Sequence, residues 1–245
     1  MDANSATRPP ILVTGAARNI GLHLARRLLE DGHAVVAHYR SATSALDELT
    51  AAGAMLVQAD MGDEAGIRAL AGAVRERCSP LGGIVHNASA FAATPADTYL
   101  AAAAFRDYWT VHMLAPWLLT RLLESALTAD SNQTADVVMI SDIHADNPPP
   151  EYDIYSATKA GMQNLALAFA KRLAPAVKVN VIQPGAISFT GAHDAVSRAR
   201  ILAATPMGRS GSAEAVYAAL RGVLDNPYLN GAIIPVDGGR RLGRY

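Results

Sequence analysis

Short apolar runs alternate with longer amphipathic stretches along most of the chain. The apolar runs predict seven strands, at 11–15, 34–39, 54–60, 82–89, 136–141, 177–185 and 231–239. Because these runs are not broken by polar positions, we expect burial on both faces, as in a parallel sheet. Repeated β-α-β units then predict an α/β fold, a doubly wound parallel sheet of about seven strands flanked by helices, in a single domain over residues 1–245.

The amphipathic stretches predict the helices. They lie at 19–32, 63–77 and 98–129, with others ending near Gly53 and Pro175 and one beginning near Ala213. The segment 186–212 interrupts the alternation, and we expect it to be a substrate lid, because ligands of such sheets bind at the carboxyl ends of the strands. The alternative is a surface excursion with one helix at about 196–204. Residues 1–9 are expected to be flexible.

Composition and charge narrow the class of protein. The net charge of −1 disfavours a nucleic-acid partner. No uncharged apolar run approaches the ~20 residues that span a bilayer, and the opening residues lack the pattern of a secretion signal. The single cysteine, Cys78, cannot form an internal disulfide, and the seven histidines lack metal-ligand spacing. We therefore expect a cytoplasmic protein without a membrane anchor or a metal site.

The first predicted strand leads into the sequence TGAARNIG at 14–21. Gly15 suits a sharp turn and Gly21 a close helix–strand contact, so that the helix N-terminus would face a pyrophosphate. The same glycines would also suit a tight turn that binds nothing.

The second predicted strand ends in HYRS at 38–41, with no acid where an NAD enzyme usually has one. Arg40 and Ser41, together with Arg18, could hold a 2′-phosphate through charge-assisted hydrogen bonds. Alternatively, Arg40 caps a surface loop. The absence of a carboxylate favours NADPH, and NADPH implies a reduction.

Tyr155 and Lys159 stand four residues apart on a predicted helix and therefore share a face. A nearby ammonium favours the phenolate, so we expect Lys159 to bring the pKa of Tyr155 down toward the working range. Asp142 stands thirteen residues before the tyrosine. Its carboxyl could accept hydrogen bonds from N–H groups or give a proton, or it could simply cap the loop 143–150.

These motifs stand in the order found in the short-chain dehydrogenase/reductases, a Rossmann-like family that the chain resembles over about residues 10–242. The shared features include the glycine loop, Asp60, the sequence NAS at 87–89 and the tyrosine–lysine pair. The resemblance implies a homo-tetramer and an NADPH site. The cofactor-binding residues implied are Gly15, Arg18, Asn19, Ile20, Gly21, Tyr39, Arg40, Ser41, Asp60, Met61, Asn87, Ala88, Ser89, Tyr155, Lys159, Pro184, Gly185 and Ile187.

Two positions depart from the ordinary family member. Asp142 replaces the usual serine, while Ser141 is one residue out of register and should point to the other face of its strand. His112 replaces the family's helix asparagine. With an aromatic residue after NAS, these departures resemble the pteridine reductases, and among them the bacterial dihydromonapterin reductases. Asn19 stands where that subgroup commonly has a second basic residue.

The subgroup resemblance implies a reaction and a substrate site. Hydride would pass from NADPH to C6 of a 7,8-dihydropterin, dihydromonapterin-like or dihydrofolate, with protonation at N5 through a relay of Tyr155, Lys159 and Asp142. Phe91 and the nicotinamide would sandwich the flat ring. The substrate-binding residues implied are Ser89, Phe91, Asp142, Tyr155 and Phe189.

Several alternatives stay open at this point. Phe91 could be ordinary core, and His112 either a satisfied core histidine or a holder of an active-site water. Arg240, Arg241 and Arg244 form a solvated tail or reach an adjacent subunit's site. The protein could also be a carbonyl reductase of the same family, acting on a keto-acyl or sugar substrate. A non-catalytic NADPH sensor is disfavoured, because such proteins usually lose the tyrosine or the lysine.

Overall fold

Seven parallel strands form one sheet in the order β3-β2-β1-β4-β5-β6-β7. The structure, a computed structural model, describes residues 8–128, 133–189 and 194–243. The strands are β1 (Ile11–Val13), β2 (Val35–Tyr39), β3 (Met55–Gln58), β4 (Gly83–His86), β5 (Ala135–Ile140), β6 (Val177–Pro184) and β7 (Ile233–Val236). The predicted fold class is thereby confirmed. Several strands end before their apolar runs do, because the last residues of those runs form the loops of the site.

Eight α-helices flank the sheet in the described part of the chain. They are α1 (Asn19–Glu30), α2 (Ala45–Ala51), α3 (Glu64–Arg77), α4 (Thr98–Trp109), α5 (Ala115–Leu127), α6 (Asp153–Leu173), α7 (Ala195–Ala203) and α8 (Ala213–Asp225). Short 3₁₀ turns lie at Ile143–Ala145, Pro150–Tyr152 and Arg240–Leu242. The helix predicted at about 196–204 is present as α7.

The helical region predicted over 98–129 is present as α4 and α5, which are joined by a π-turn at Thr110–Leu114. The N–H of Ala115 donates to the carbonyl of Thr110, five residues back. Pro116 has no N–H and its ring would crowd the carbonyl four residues before it, so a regular α-helical turn is unfavourable here. The wider turn carries His112.

The core lies on both faces of the sheet. Leu70 of α3, Leu119 of α5 and Phe169 of α6 pack against one face. On the other face, Leu24 of α1 and Leu220 of α8 belong to a second apolar cluster. Since alternate strand residues point to opposite faces, uninterrupted apolar strands such as β1 supply both clusters.

The segment 186–212 is closed at its base, where the N–H of Gly211 donates to the carbonyl of Ala186 at 2.8 Å. It also contacts the C-terminal segment, because the N–H of Met207 donates to the carbonyl of Gly238 at 3.1 Å. Its role as a substrate lid stays a prediction. The predicted flexibility of residues 1–9 falls mainly on 1–7, outside the described residues, as does Arg244.

No helix in the described residues combines the length and the apolar character that crossing a membrane requires.

Candidate active site

The glycine loop lies at the carboxyl end of β1 and admits no larger side chains. Gly15 has φ +69°, and a Cβ there would come within 2.9 Å of Ala88 Cα. A Cβ on Gly21 would lie 2.2 Å from the carbonyl oxygen of Gly15. Asn87 Nδ2 donates to the carbonyls of Thr14 and Gly15, at 2.9 and 3.2 Å. The loop is therefore tied to the end of β4, at the point where the strand order reverses and such folds bind ligands.

His38 holds the same loop from the other side. Its Nδ1 accepts the N–H of Gly15 at 3.2 Å, so its Nε2 carries the hydrogen and donates to the carbonyl of Ala59 at 3.1 Å. Burial lowers the pKa of His38 to about 4, which keeps the ring neutral. This role is not predictable from the sequence, since it depends on contacts with two other loops.

Asn19 begins α1 with φ +51°, in the left-handed region. Asparagine tolerates this conformation better than most residues. Arg18 precedes it at the N-cap position in an extended conformation. A contact between Arg18 and a cofactor phosphate stays a prediction.

A cavity of about 540 Å³ opens at the ends of β2 and β3, lined by Arg40, Ser41, Gln58, Ala59 and Asp60. The carbonyl of Arg40 accepts from Gln58 Nε2 at 3.2 Å. Asp60 Oδ1 accepts the N–H of Gly62 at 3.0 Å, so that carboxylate oxygen caps its own turn. The exposed Arg40 and Ser41 fit a phosphate-bearing ligand.

The other predicted cofactor residues follow the same edge of the sheet. A Cβ on Gly185 would lie 2.8 Å from Asp237 Cβ, so the chain after β6 passes too close to its neighbour for a side chain. The rest of the set comprises Ile20 in α1, Tyr39 at the end of β2, Met61 after Asp60, Ala88 and Ser89 after β4, Pro184 at the end of β6, and the buried Ile187.

Asp142 and Tyr155 are in direct contact. The Tyr155 hydroxyl donates to Asp142 Oδ2 at 3.0 Å, and Asp142 Oδ1 accepts the N–H of His144 at 2.8 Å. One oxygen thus caps the loop and the other faces the tyrosine, while the role of Asp142 in the reaction stays a prediction. Lys159 is buried beside them, and its Nζ donates to the carbonyl of Ile140 at 2.9 Å.

The surroundings of Tyr155 favour its protonated form. Burial raises the pKa of Tyr155 well above its ordinary value, and the charge and hydrogen bond of Asp142 raise it further. The pKa of Tyr155 therefore shifts in the direction opposite to the one expected from Lys159: Asp142 is the charged group in contact with the hydroxyl, whereas the ammonium donates to the Ile140 carbonyl. Burial also lowers the pKa of Lys159 to about 8. Tyr155 therefore keeps its proton at neutral pH.

Ser141 points away from this pair, as predicted from its register. Its buried Oγ donates to the carbonyl of Lys159 at 3.3 Å and accepts from Gln163 Nε2 at 3.0 Å. It therefore cannot substitute for the serine that other family members carry at position 142.

Phe91 forms an aromatic wall beside Tyr155. Its side chain is 50% exposed, so the alternative that it belongs to the core is wrong. The Phe91 ring stacks on Tyr152 with 4.7 Å between centroids, and it meets Tyr155 edge-on at 4.9 Å. Tyr152 was missed from the sequence, although its position three residues before Tyr155 was an available signal.

His112 lies fully buried between the site and α6. Its Nε2 is 2.8 Å from Ser89 Oγ and its Nδ1 is 2.8 Å from Thr158 Oγ1. Burial, followed by the charge of Lys159, lowers the pKa of His112 far below its ordinary value. The ring is a satisfied histidine, but it is bonded to a residue of the predicted site.

Phe189 and Arg240 lie at the edge of the predicted site, and the predictions made for them have different outcomes. The guanidinium of Arg198 lies over the Phe189 ring at 5.5 Å, and contact of Phe189 with a substrate stays a prediction. Burial lowers the pKa of His144, and the charge of Arg240 acts in the same direction. Arg240 therefore approaches the site of its own chain.

A glycine loop at the switch point, an arginine-lined cavity at the next strand end and a protonated tyrosine beside a lysine define a nicotinamide-dependent oxidoreductase. The model of the short chain dehydrogenase family matches residues 10–200, and the chain belongs to this family.

Among known proteins, two dihydromonapterin reductases are similar to this chain over most of its length. A dihydromonapterin reductase of Klebsiella pneumoniae is 34% identical over 233 residues, covering 95% of this chain and 97% of the relative. The dihydromonapterin reductase of Escherichia coli K12 is also 34% identical, with 96% and 98% covered.

Solved structures agree with this fold. FolM alternative dihydrofolate reductase 1 from Brucella canis, complexed with NADP, has a TM-score of 0.86 at 26% identity, covering 100% of this chain and 98% of that one. The RhlG/NADP active-site complex of Pseudomonas aeruginosa has a TM-score of 0.87 at 28% identity, with 97% and 98% covered.

Proposed function

We propose that the protein reduces a 7,8-dihydropterin of the dihydromonapterin type to its tetrahydro form, using NADPH. The observation that carries this proposal is the Asp142–Tyr155 hydrogen bond beside the exposed ring of Phe91. A carboxyl group suits the N–H groups of a pterin, and an open aromatic face suits its flat ring. The dihydromonapterin reductases at 34% identity support the same substrate class, and the FolM relative makes dihydrofolate the next candidate.

The residues present fit NADPH. Arg40 and Ser41 line the cavity at the end of β2, where an NAD enzyme usually carries an acid. The NADP complexes of the two structural relatives support the same cofactor. NADPH, when bound, supplies the hydride for C6 of the pterin.

The chain's own residues manage the proton for N5. Tyr155 holds it at Oη, where burial and Asp142 keep the phenol protonated. Lys159, with its Nζ 5.8 Å from the centre of the phenol ring, offsets the negative charge left after the proton leaves. Asp142 completes the relay, since Oδ2 is held beside the hydroxyl while Oδ1 is anchored to the loop. This arrangement supplies an acid at neutral pH without exposing the phenol to water.

The test is NADPH oxidation by the purified protein with dihydromonapterin, dihydrobiopterin, dihydrofolate and a keto thioester. We expect the highest kcat/KM with a dihydropterin. Turnover of the keto thioester with none of the pterins would overturn the proposal and favour a carbonyl reductase of the same family.

The proposed assembly is a homo-tetramer. Apolar side chains exposed on α4 and α5 support a subunit interface there; they are Leu100, Phe105, Trp109 and Trp117. Light scattering after size-exclusion chromatography should give four times the mass of the 25.7 kDa chain. The cytoplasmic location expected from the sequence stays a prediction that cell fractionation would test.

A further inference from the structure

The π-turn at Thr110–Leu114 places His112 between the exposed hydroxyl of Ser89 and the buried hydroxyl of Thr158. Ser89 is exposed at the end of β4, two residues before Phe91. Thr158 is buried in α6, between Tyr155 and Lys159. Since both hydroxyl oxygens are 2.8 Å from a ring nitrogen, the imidazole connects the interior of α6 with the open side of the site.

Each of the two hydroxyls and the neutral imidazole has one hydrogen to donate, which determines the direction of each hydrogen bond between them. The Thr158 hydroxyl donates its one hydrogen to the carbonyl of Tyr155 at 2.8 Å. Towards His112, Thr158 Oγ1 is therefore an acceptor, and Nδ1 must carry the ring hydrogen. A neutral imidazole has only one N–H, so Nε2 accepts from the Ser89 hydroxyl.

The competing arrangement makes fewer short bonds. In the competing arrangement Ser89 turns its hydrogen to the carbonyl of Ala90 at 3.3 Å, and the same carbonyl also interacts with the His112 ring. His112 would then donate from Nε2, and Thr158 would have to give up its 2.8 Å bond to the Tyr155 carbonyl. The first arrangement satisfies all three contacts of 2.8 Å.

We propose that His112 turns the Ser89 hydroxyl into a pure hydrogen-bond acceptor toward the site, so that Ser89 selects ligands that present an N–H group over ligands that present a carbonyl. His112 is then a positioning residue, acting through Ser89. The choice of a pterin as the favoured ligand rests on the function proposed above.

The physical basis of the selection is the unequal cost of mismatched polar groups. An aminopyrimidinone has N–H donors that the Ser89 oxygen can accept. A carbonyl facing the same oxygen would place two acceptors together, and neither would be satisfied. Rotating the hydroxyl to donate to that carbonyl would break its 2.8 Å hydrogen bond to His112.

A direct test of the ring hydrogen is nitrogen NMR of protein labelled with ¹⁵N-histidine, with the His112 signals identified by their loss in His112→Gln. We expect Nδ1 to give the signal of a nitrogen that carries hydrogen and Nε2 that of a bare nitrogen. The opposite pattern would overturn the inference, whatever the substrate proves to be.

Thr158→Val tests the consequence without altering Ser89 or His112. Valine cannot accept a hydrogen bond, so the ring hydrogen should move to Nε2 and the Ser89 hydroxyl should become a donor. We expect KM for dihydropterin to rise about tenfold, KM for a keto substrate to fall, and the two nitrogen signals to exchange. Ser89→Ala should abolish the difference between Thr158→Val and wild type for both substrates.

The matched control is Thr120→Val, which removes the hydroxyl 2.8 Å from another buried histidine, His86, outside the site. A purely structural role for Thr158 would lower stability in both valine variants and leave both KM values unchanged, which would refute the inference. If dihydropterins are not turned over at all, the proposed function fails, while the nitrogen signals and the keto-substrate KM still decide the inference.

Discussion

The hydroxyl of Tyr155 donates to Oδ2 of Asp142 at 3.0 Å, while Oδ1 of the same carboxylate accepts the N–H of His144 at 2.8 Å. One side chain thus couples the proton-donating phenol to the backbone of the loop after β5. Burial, followed by the charge and hydrogen bond of Asp142, raises the pKa of Tyr155, so the pair keeps the phenol protonated at neutral pH. A serine at position 142 would lack this charge.

Asp142→Asn and Asp142→Ser should both reduce dihydropterin reduction. Removing a positioned acid–base group usually costs about 10²–10⁴ in rate, so we expect a loss of that order in kcat with a smaller change in KM. Asparagine keeps the size of the side chain but not its charge, so the pKa of Tyr155 should fall. Since the protonated phenol is the active form, the alkaline loss of activity should begin at a lower pH in Asp142→Asn. Steady-state kinetics at several pH values measures both effects.

Ser141→Ala is the control for the Asp142 variants, because the Ser141 hydroxyl bonds to Lys159 and Gln163 on the other side of the strand. It should retain kcat within a few-fold. Near-normal turnover by both Asp142 variants would show that the carboxylate only caps the loop.

Phe91→Ala should weaken dihydropterin binding while leaving NADPH affinity nearly unchanged. A ring stacked on an aromatic side chain contributes about 1–3 kcal/mol, which corresponds to about 5- to 150-fold in affinity. Since Phe91 is half exposed, its removal should change Tm little. Tyr228→Ala, which truncates an aromatic side chain that is 98% exposed, serves as the control. Unaltered pterin affinity in folded Phe91→Ala would remove the ring from the substrate site.

Arg40→Asp should invert the cofactor preference. The substitution removes a cation from the cavity at the end of β2 and puts a negative charge where a 2′-phosphate would lie. NADPH affinity should fall sharply, whereas NADH affinity should be maintained or rise. Arg75→Asp, at an exposed position in the last turn of α3, makes the same charge change elsewhere. Equal affinities of the unmodified protein for the two cofactors would contradict the role of Arg40.

The elements and the main candidate residues of the site were predictable because their signals are local. Strand burial shows as unbroken apolar runs, and the positions of Gly15, Tyr155 and Lys159 follow from short motifs. The π-turn was not predicted, since the helical apolar pattern continues through it and only Pro116 signals the change. The raised pKa of Tyr155 and the role of His38 depend on contacts between distant segments, which periodicity does not report.

Buried neutral histidines should make the fold sensitive to mild acid. Burial lowers the pKa of His38 to about 4 and that of His86 to about 3, and it lowers the pKa of His112 as well. An unfolded histidine has a pKa of about 6.5, so below that pH the unfolded chain binds about three protons that the folded chain excludes. Stability is therefore present above pH ~6.5 and is lost as the pH falls, by about 4 kcal/mol per pH unit from these groups.

Between about pH 4 and 6, protonation of Asp136 in the folded chain counteracts part of this loss of stability. Burial raises its pKa to about 6, although the ammonium of Lys178 lies 3.1 Å away. Between about pH 4 and 6 the folded chain therefore holds a proton that the unfolded chain has released, which reduces the net slope to about 3 kcal/mol per pH unit. With a total stability of about 5–15 kcal/mol, we expect the fold to be lost within a few pH units below 6.5.

Urea unfolding at pH 7.5, 6.5, 5.5 and 5.0 measures this slope. The double variant His86→Leu with Thr120→Val replaces a buried hydrogen-bonded pair by apolar side chains, so it should lower the slope by about one proton, or about 1.4 kcal/mol per pH unit. Asp136→Asn should make the pH dependence of the unfolding free energy steeper below pH 6 by a similar amount, because the folded chain no longer takes up a proton at this position. An unfolding free energy that stays level from pH 6.5 to 5.0 would mean that these histidines can be protonated in the folded protein, contrary to the burial seen here.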